Sequence, residues 1–391
     1  MDKTALPSNN KCCGCSACFA ACPVDAITMV QDKEGFFNPT VHPERCIRCG
    51  KCAAVCPVVN KEESRLPIEV LATRAKDIAV RLASSSGGVF ALAAQEIIKR
   101  GGIVFGAAFD YPDARVVHKK ASSLEELDDL RGSKYVQSDM GNTFRNVKTA
   151  LQSGQDVLFS GCPCQIAGLK NYLGAEYGNL FSVDIICHGV PSPKAWNEYI
   201  HSRETESGSS IAKVVMRRHG PWRSYPIEMR FANTLASYRG SVADDTFLRG
   251  FFRNFFLRKC CHKCPVRCAR SGSDLTIGDY WDVSKLPVSI DDDTGISAVL
   301  INTPKGRALF DCILPYVETF PSSYKDVRNF NPTLETSYPQ SGKRAKFFKR
   351  VGKVDFDALV LDLCRPGLLS KVHKLLWWMK RLLVNGEINK L

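Results

Sequence analysis

The sequence predicts a small α+β module at the N-terminus followed by a larger α/β domain on a mostly parallel or mixed sheet. Two observations predict it. A cysteine run occurs twice within the first 60 residues, and from about residue 66 apolar segments alternate between strand and helix periodicity. The 391 residues suffice for one cofactor-stapled module and one or two further cores. The expected boundaries are 1–60 for the module, 66–152 and 153–340 for the two parts of the α/β domain, and 341–391 for a helical, basic extension.

The first run is Cys12-x-x-Cys15-x-x-Cys18-x-x-x-Cys22-Pro23, and Cys46, Cys49, Cys52, Cys56 and Pro57 repeat its intervals. This is bacterial ferredoxin spacing for 4Fe-4S clusters: three closely spaced thiolates converge on one cubane, and the fourth, before proline, ligates the other. Cys12, Cys15, Cys18 and Cys56 therefore fall to one cluster, and Cys46, Cys49, Cys52 and Cys22 to the other; Cys13 is left over. Zinc knuckles use two separated cysteine pairs instead. Ile27 to Val30 and the segment after Gly35 read as a hairpin joining the cluster loops.

No apolar leader follows the first Met, and no apolar run reaches the roughly 18 residues of a membrane span. Thiolate clusters need a reducing compartment, so the cytoplasm is expected. The formal charge of +13 falls to about +7 once three clusters of about −2 are counted. Such an excess suits acidic partners: a ferredoxin or another redox subunit, an anionic cofactor, or a lipid surface. Nucleic acid is not expected, because Lys and Arg are scattered rather than interleaved with aromatics along a stripe.

In "SSSGGVFALAAQEIIKRGGIVFGAAFD", Ser86 is expected to cap a helix over Gly87 to Lys99, Gly101 and Gly102 to stop it, and Ile103 to Phe109 to form a buried strand. The N–H groups at the start of that helix read either as a plain capped terminus or as a site for a dinucleotide pyrophosphate. "LRGSKYVQSDMG" places Lys134, Tyr135, Gln137 and Ser138 together, a set that suits a flavin ring or its phosphates, or else an exposed turn before a helix at Thr143 to Leu151. Two strand–loop–helix units follow. One turns at Gly161-Cys162-Pro163-Cys164, and the other runs from a strand ending at Cys187 through His188 to Pro193 into a helix containing Trp196. In a parallel sheet both loops lie at the carboxyl ends of their strands, where α/β proteins bind ligands. Cys261-x-x-Cys264, followed by a strand over Asp274 to Ile277, needs two more ligands, and Cys164 and Cys187 would complete a third 4Fe-4S site. Zinc on the same ligands, or unrelated buried or redox-active thiols, are the competing readings. Cys312 reads as a small core residue of a helix. Leu369, Val372, Leu376, Met379 and Leu383 form one face of a basic helix that either touches a lipid surface peripherally or packs on protein.

Taken in order, "SSGGVF", "RGSKYVQS", "GCPCQIAGL", "DIICHGVPSP" and "CHKC" followed by "SDLTIGDYWD" resemble the coenzyme F420 hydrogenase/dehydrogenase beta-subunit family; with the cluster module, the likeness covers residues 1 to about 285. The resemblance implies an iron–sulfur flavoprotein with FAD on the α/β domain beside a cluster held by Cys164, Cys187, Cys261 and Cys264. It implies flavin contacts at Ser86, Gly87, Gly88, Lys134, Tyr135 and Gln137, with the Cys164 loop and His188 near the ring. His188 would then orient the flavin or donate a proton, or simply stabilise its loop. The chain departs from the pattern at Cys162, where a small hydroxyl residue is common, and by adding Cys260 and Cys268. Relatives of this kind include deazaflavin-dependent dehydrogenase subunits, a formate dehydrogenase subunit and a ferredoxin-dependent chlorophyll-type reductase, so the substrate stays open. The implied activity is oxidoreduction between a hydride carrier (reduced coenzyme F420 or similar) at FAD and one-electron clusters or ferredoxin. The alternatives are ferredoxin-dependent reduction of a sugar or tetrapyrrole derivative, and a relay subunit without its own substrate.

Overall fold

The computed structural model describes residues 6–365; the basic helix expected over Leu369 to Leu383 lies outside them. The N-terminal module holds the expected antiparallel hairpin, β1 (Ile27–Gln31) and β2 (Phe37–Val41), with Ile27 opposite Val41. Its two short helices, Ala17–Ala21 and Lys51–Ala54, pack together. The duplication is visible in the backbone. Gly14 and Arg48 occupy one equivalent position, Ser16 and Gly50 another, and all four have left-handed φ. That conformation folds each loop tightly enough for its two-residue gaps to turn thiols inward.

The α/β domain is one mixed sheet of eight strands. In chain order they are β3 (Glu69–Ala75), β4 (Ile103–Asp110), β5 (Arg115–Ala121), β6 (Val157–Gly161), β7 (Leu180–Ile185), and, after an excursion, β11 (Leu275–Asp279), β12 (Ser297–Ile301) and β13 (Val317–Pro321). Their spatial order is β13-β3-β12-β11-β7-β6-β4-β5. The four central strands β4, β6, β7 and β11 run parallel, and the flanking strands pair antiparallel. β3 is separated from β4 by four strands from beyond residue 153, so the two expected parts share one interleaved sheet. β12 is buried throughout, as a strand covered on both faces must be.

The excursion was not foreseen. β8 (Ile211–Met216), β9 (Ile227–Phe231) and β10 (Ser237–Gly240) form a separate antiparallel sheet. Its core gathers Trp196, Tyr199, Phe247 and Phe256 with Phe347, Phe356 and Leu359 from helices Arg344–Arg350 and Phe356–Cys364. The segment expected to begin an extension at 341 therefore completes this core. Cys312 corrects another expectation: it sits half-buried on helix Pro304–Ile313, where its sulfur receives Arg100 Nη2 at 2.7 Å.

The cluster module is locked onto the α/β domain. Arg258 is 1% exposed and donates to Cys12 O (2.7 Å), Asn38 Oδ1 (2.6 Å) and Gln137 Oε1 (3.3 Å). Arg344 forms a buried two-pronged pair with Glu34 at 3.0 and 2.6 Å. Gly168 lets helix Pro163–Leu173 approach so closely that a Cβ there would lie 2.8 Å from Cys15 Sγ.

Candidate redox centre

Cys12, Cys15, Cys18 and Cys56 line one small cavity in the module, the set expected from the rule that the fourth cysteine crosses over. Burial pushes the Cys12 thiol up to about 11 and raises Cys18 as well, so these groups give up their protons only to a strong positive charge such as iron. Backbone N–H groups already point at sulfur: Gly14 N lies 3.3 Å from Cys12 Sγ, and Ala26 N 3.2 Å from Cys22 Sγ. Cys46, Cys49 and Cys52 neighbour one another in the second loop, where Cys49 is exposed.

A second thiol cavity, of about 50 Å³, lies beyond the carboxyl end of β7. Cys164, Cys187, Cys261 and Cys264 all line it, together with Cys13, Cys260 and Cys268. Three distant loops meet there for identifiable reasons. Pro163 starts the helix that carries Cys164. Arg267 donates to the carbonyls of Cys187 and His188, fixing the loop after β7 against the Cys261 segment. Val190 N reaches Cys261 Sγ at 3.5 Å. Burial pushes Cys264 up to about 12, whereas the Cys260 thiol, donating to Cys261, brings that group down to about 7. Among the described residues no trio of His, Cys, Asp or Glu meets at a point fit for a single ion; a cubane takes its thiolates on separate irons. Asp184, which sequence reasoning missed, also lines this cavity; burial pushes it up to about 6, and its Oδ1 has no partner.

Beside the thiols, a cleft of about 240 Å³ opens at the carboxyl edge of the parallel strands, walled by Ala107, Ser160, Gly161, Ile185 and Ile277. Ser86, Gly88, Lys134, Tyr135, Gln137 and Ser138 all line it, as do Cys13, Cys162 and Cys164. Several of these groups are already engaged. Ser86 does not cap its helix: Oγ bonds Ile296 O at 2.9 Å, and the cap position belongs to Gly88 at φ +87°. Gly87 lies outside the lining; its N–H goes to Ser297 Oγ (2.9 Å), and a Cβ would lie 2.2 Å from Thr73 O. The free helix terminus therefore begins at Gly88 to Phe90, over residues that do face the cleft. The Lys134 ammonium binds the carbonyls of Asp129 (2.7 Å) and Arg131 (2.8 Å), and burial draws it down to about 7. Gln137 accepts from Phe37 N of the module at 3.2 Å, and Ser138 accepts from Gln165 Nε2 of helix Pro163–Leu173 at 2.9 Å, so the cleft is braced from both sides.

His188 is not brought to either cavity. Its ring packs on Tyr338 (4.4 Å) and Phe251 (4.8 Å), Nε2 pairs with Asn254 Oδ1 at 2.8 Å, and burial lowers it to about 4. The imidazole facing the cleft is His118, bonded to Ser160 O at 3.1 Å, stacked on Phe159, and likewise lowered to about 4 by burial. Sequence reasoning missed it because a histidine on β5 shows no motif; only strand pairing places it over the end of β6.

A thiol-lined sheet edge joined rigidly to a two-cluster module defines an iron–sulfur electron-transfer oxidoreductase. Residues 154–318 match the family model for the C terminus of the coenzyme F420 hydrogenase/dehydrogenase beta subunit, and residues 11–60 match "4Fe-4S dicluster domain". Residues 154–318 thus carry the C-terminal domain of that family, and a 4Fe-4S dicluster domain precedes it over residues 11–60. Among solved structures, the xenon-derivatised F420-reducing NiFe hydrogenase complex from Methanosarcina barkeri contains a similar chain, 18% identical over 69% of this chain and 90% of that one, with a TM-score of 0.46. No curated protein matched the sequence.

Proposed function

We propose that the protein exchanges electrons between a hydride carrier, meeting FAD in the 240 Å³ cleft, and a chain of three 4Fe-4S clusters. One observation carries this reading: the cleft and the two buried thiol cavities share walls, with Cys164 common to the cleft and the second cavity and Cys13 common to all three. The residues fit the groups. The amides at Gly88 to Phe90 would receive flavin phosphate, the apolar sheet edge and Tyr135 would flank the ring, and Cys164, Cys187, Cys261 and Cys264 would hold the third cluster. When bound, the flavin would supply conversion between two-electron and one-electron transfer. Gln165 and Ser138 hold the Cys162–Cys164 turn against the cleft, and His118, uncharged at neutral pH, would offer a neutral hydrogen-bonding face. His188 is better placed to brace its loop than to transfer a proton.

The hydride carrier is reduced coenzyme F420 or a similar molecule. Electron entry from an acidic ferredoxin, with reduction of an organic substrate at the flavin, is the second reading, favoured by the exposed Cys49 and its cationic neighbours Arg45, Arg48 and Lys51. Anaerobic purification with iron, sulfide and flavin quantified per chain tests the whole: about twelve irons and one FAD are expected. About eight irons without flavin would leave only the relay subunit. Reduction of the clusters by reduced coenzyme F420, but not by reduced ferredoxin, separates the first reading from the second.

A further inference from the structure

A further cavity, of about 120 Å³, adjoins the cleft, and Arg131, Ser133 and Lys134 line both. Its remaining walls come from the end of helix Leu124–Leu130 and from strand β8 of the excursion with the residues just beyond it. Arg131, Lys134, Lys213 and Arg218 surround the space, against the carboxylates of Asp128 and Asp129, of which Asp129 is exposed.

These cations are crowded without being fully paired. Arg218 is 9% exposed and holds Asp128 Oδ1 through Nη2 at 2.7 Å, but its Nε has no partner. Arg131 donates Nη2 to Val80 O at 3.1 Å, and its Nε is likewise unpartnered. Lys134 is bound by carbonyls, which bring no negative charge. Gly132 makes the crowding possible: at φ +82° it lays segment 131–134 directly on Arg218, and a Cβ there would lie 2.9 Å from Arg218 Cδ. Burial, and next the charge of Arg218, lowers both Arg131 and Lys134 from their ordinary ranges. Like charges held together out of water destabilise the fold, and an anion placed among them offsets that cost. Guanidinium groups suit phosphate, whose oxygens take their paired N–H donors. Tyr111 accepts from Val214 N at 2.7 Å, which leaves its phenol proton for the same ligand.

We propose that this cavity is a phosphate site, taking a phosphate group of a molecule that reaches in from the cleft past Ser133. The flavin phosphates have their own donors at Gly88 to Phe90, which line the cleft and not this cavity. The occupant is therefore a hydride carrier that bears a phosphate; the dinucleotide is the other source of the same chemistry. The assignment rests on the cleft as a ligand site and is independent of the third cluster.

The test is calorimetric titration of inorganic phosphate into the anaerobic full-length protein, for the parent, Arg131→Met and Lys213→Met, with FAD affinity and the kinetics of reduced coenzyme F420 measured on each. Phosphate should bind the parent and raise the KM for reduced coenzyme F420, with kcat and FAD affinity unchanged. Arg131→Met should weaken phosphate binding and raise that KM about tenfold. Lys213→Met, whose side chain is exposed at the rim, should change both about twofold, less so as salt rises. Competition with FAD instead, with FAD bound about tenfold more weakly by Arg131→Met, keeps the site and gives it to the dinucleotide. Phosphate binding lost in Arg131→Met, in a protein that does not react with reduced coenzyme F420, keeps the site and sinks that carrier. Phosphate that neither binds nor competes overturns the proposal. So does an Arg131→Met protein that melts like the parent with all three affinities unchanged. Should Arg131→Met fail to fold, an unchanged Lys213→Met at low salt overturns it instead.

Discussion

The two halves of the cluster module are near-copies in sequence and in backbone, yet they occupy opposite environments. In the first half Cys12, Cys15 and Cys18 are buried. In the second Cys49 is exposed, Ile47 is 61% exposed, and Arg45, Arg48 and Lys51 face solvent. The cause is docking, because the first loop meets helix Pro163–Leu173 at Gly168. A duplicated ligand pattern thus makes two equivalent chelators, and the surface each one meets decides which is buried against the α/β domain and which stays exposed.

The largest expected break in this asymmetry is Gly168→Val. Its added atoms have no room against Cys15 Sγ, so the buried cluster should fail to assemble and iron should fall by about four per chain, with the signal of the exposed cluster retained. Iron retained in full would mean that the module tolerates withdrawal from the helix.

Next is Arg344→Met, which leaves Glu34 buried without its partner and should cost about 3–5 kcal/mol in thermal or denaturant unfolding. The double change Glu34→Met with Arg344→Met should recover most of that loss, because two apolar groups of similar shape leave no orphaned charge.

Arg48→Glu with Lys51→Glu sharpens the comparison from the exposed side. Electron exchange with an acidic ferredoxin should slow about tenfold at low salt, and the difference should fade as ionic strength rises. Iron content should not change. A stopped-flow rate indifferent to both charge and salt would place the partner elsewhere.

The smallest effect is acid sensitivity. Burial opposes ionisation of Glu34, but the hydrogen bonds and charge of Arg344 more than offset it, leaving the carboxyl below its ordinary range. A carboxylate depressed in the folded state stabilises the protein above its unfolded value of about 4.3. That contribution is lost as pH falls through the folded value. The parent should therefore lose stability over that acid range, and Arg344→Met should show a shallower acid limb.

The chain by itself determined the ligand chemistry, since thiol spacing is a local property: three cysteines two residues apart can reach one cubane whatever lies around them. It also determined the parallel strand–loop–helix units and the helix over Val89–Lys99, where apolar period and glycine stops agree with the final packing. Tertiary structure decided the rest. Arg258 gives no sign in sequence that it will be buried, because charged side chains are normally exposed and only its three acceptors, from chain segments far apart, make burial affordable. In the β8–β10 sheet only β9 (Ile227–Phe231) alternates strictly; β8 is interrupted by a register shift and β10 is four residues with none buried, and Phe347 and Phe356 complete the core only from the far end of the described chain. Long-range docking also turned His188 into its aromatic nest, brought His118 to the cleft and set Cys13 in a wall common to the cleft and both thiol cavities. Spacing along a chain dictates what one loop can chelate; which loops meet depends on shape, burial and charge summed over the whole fold.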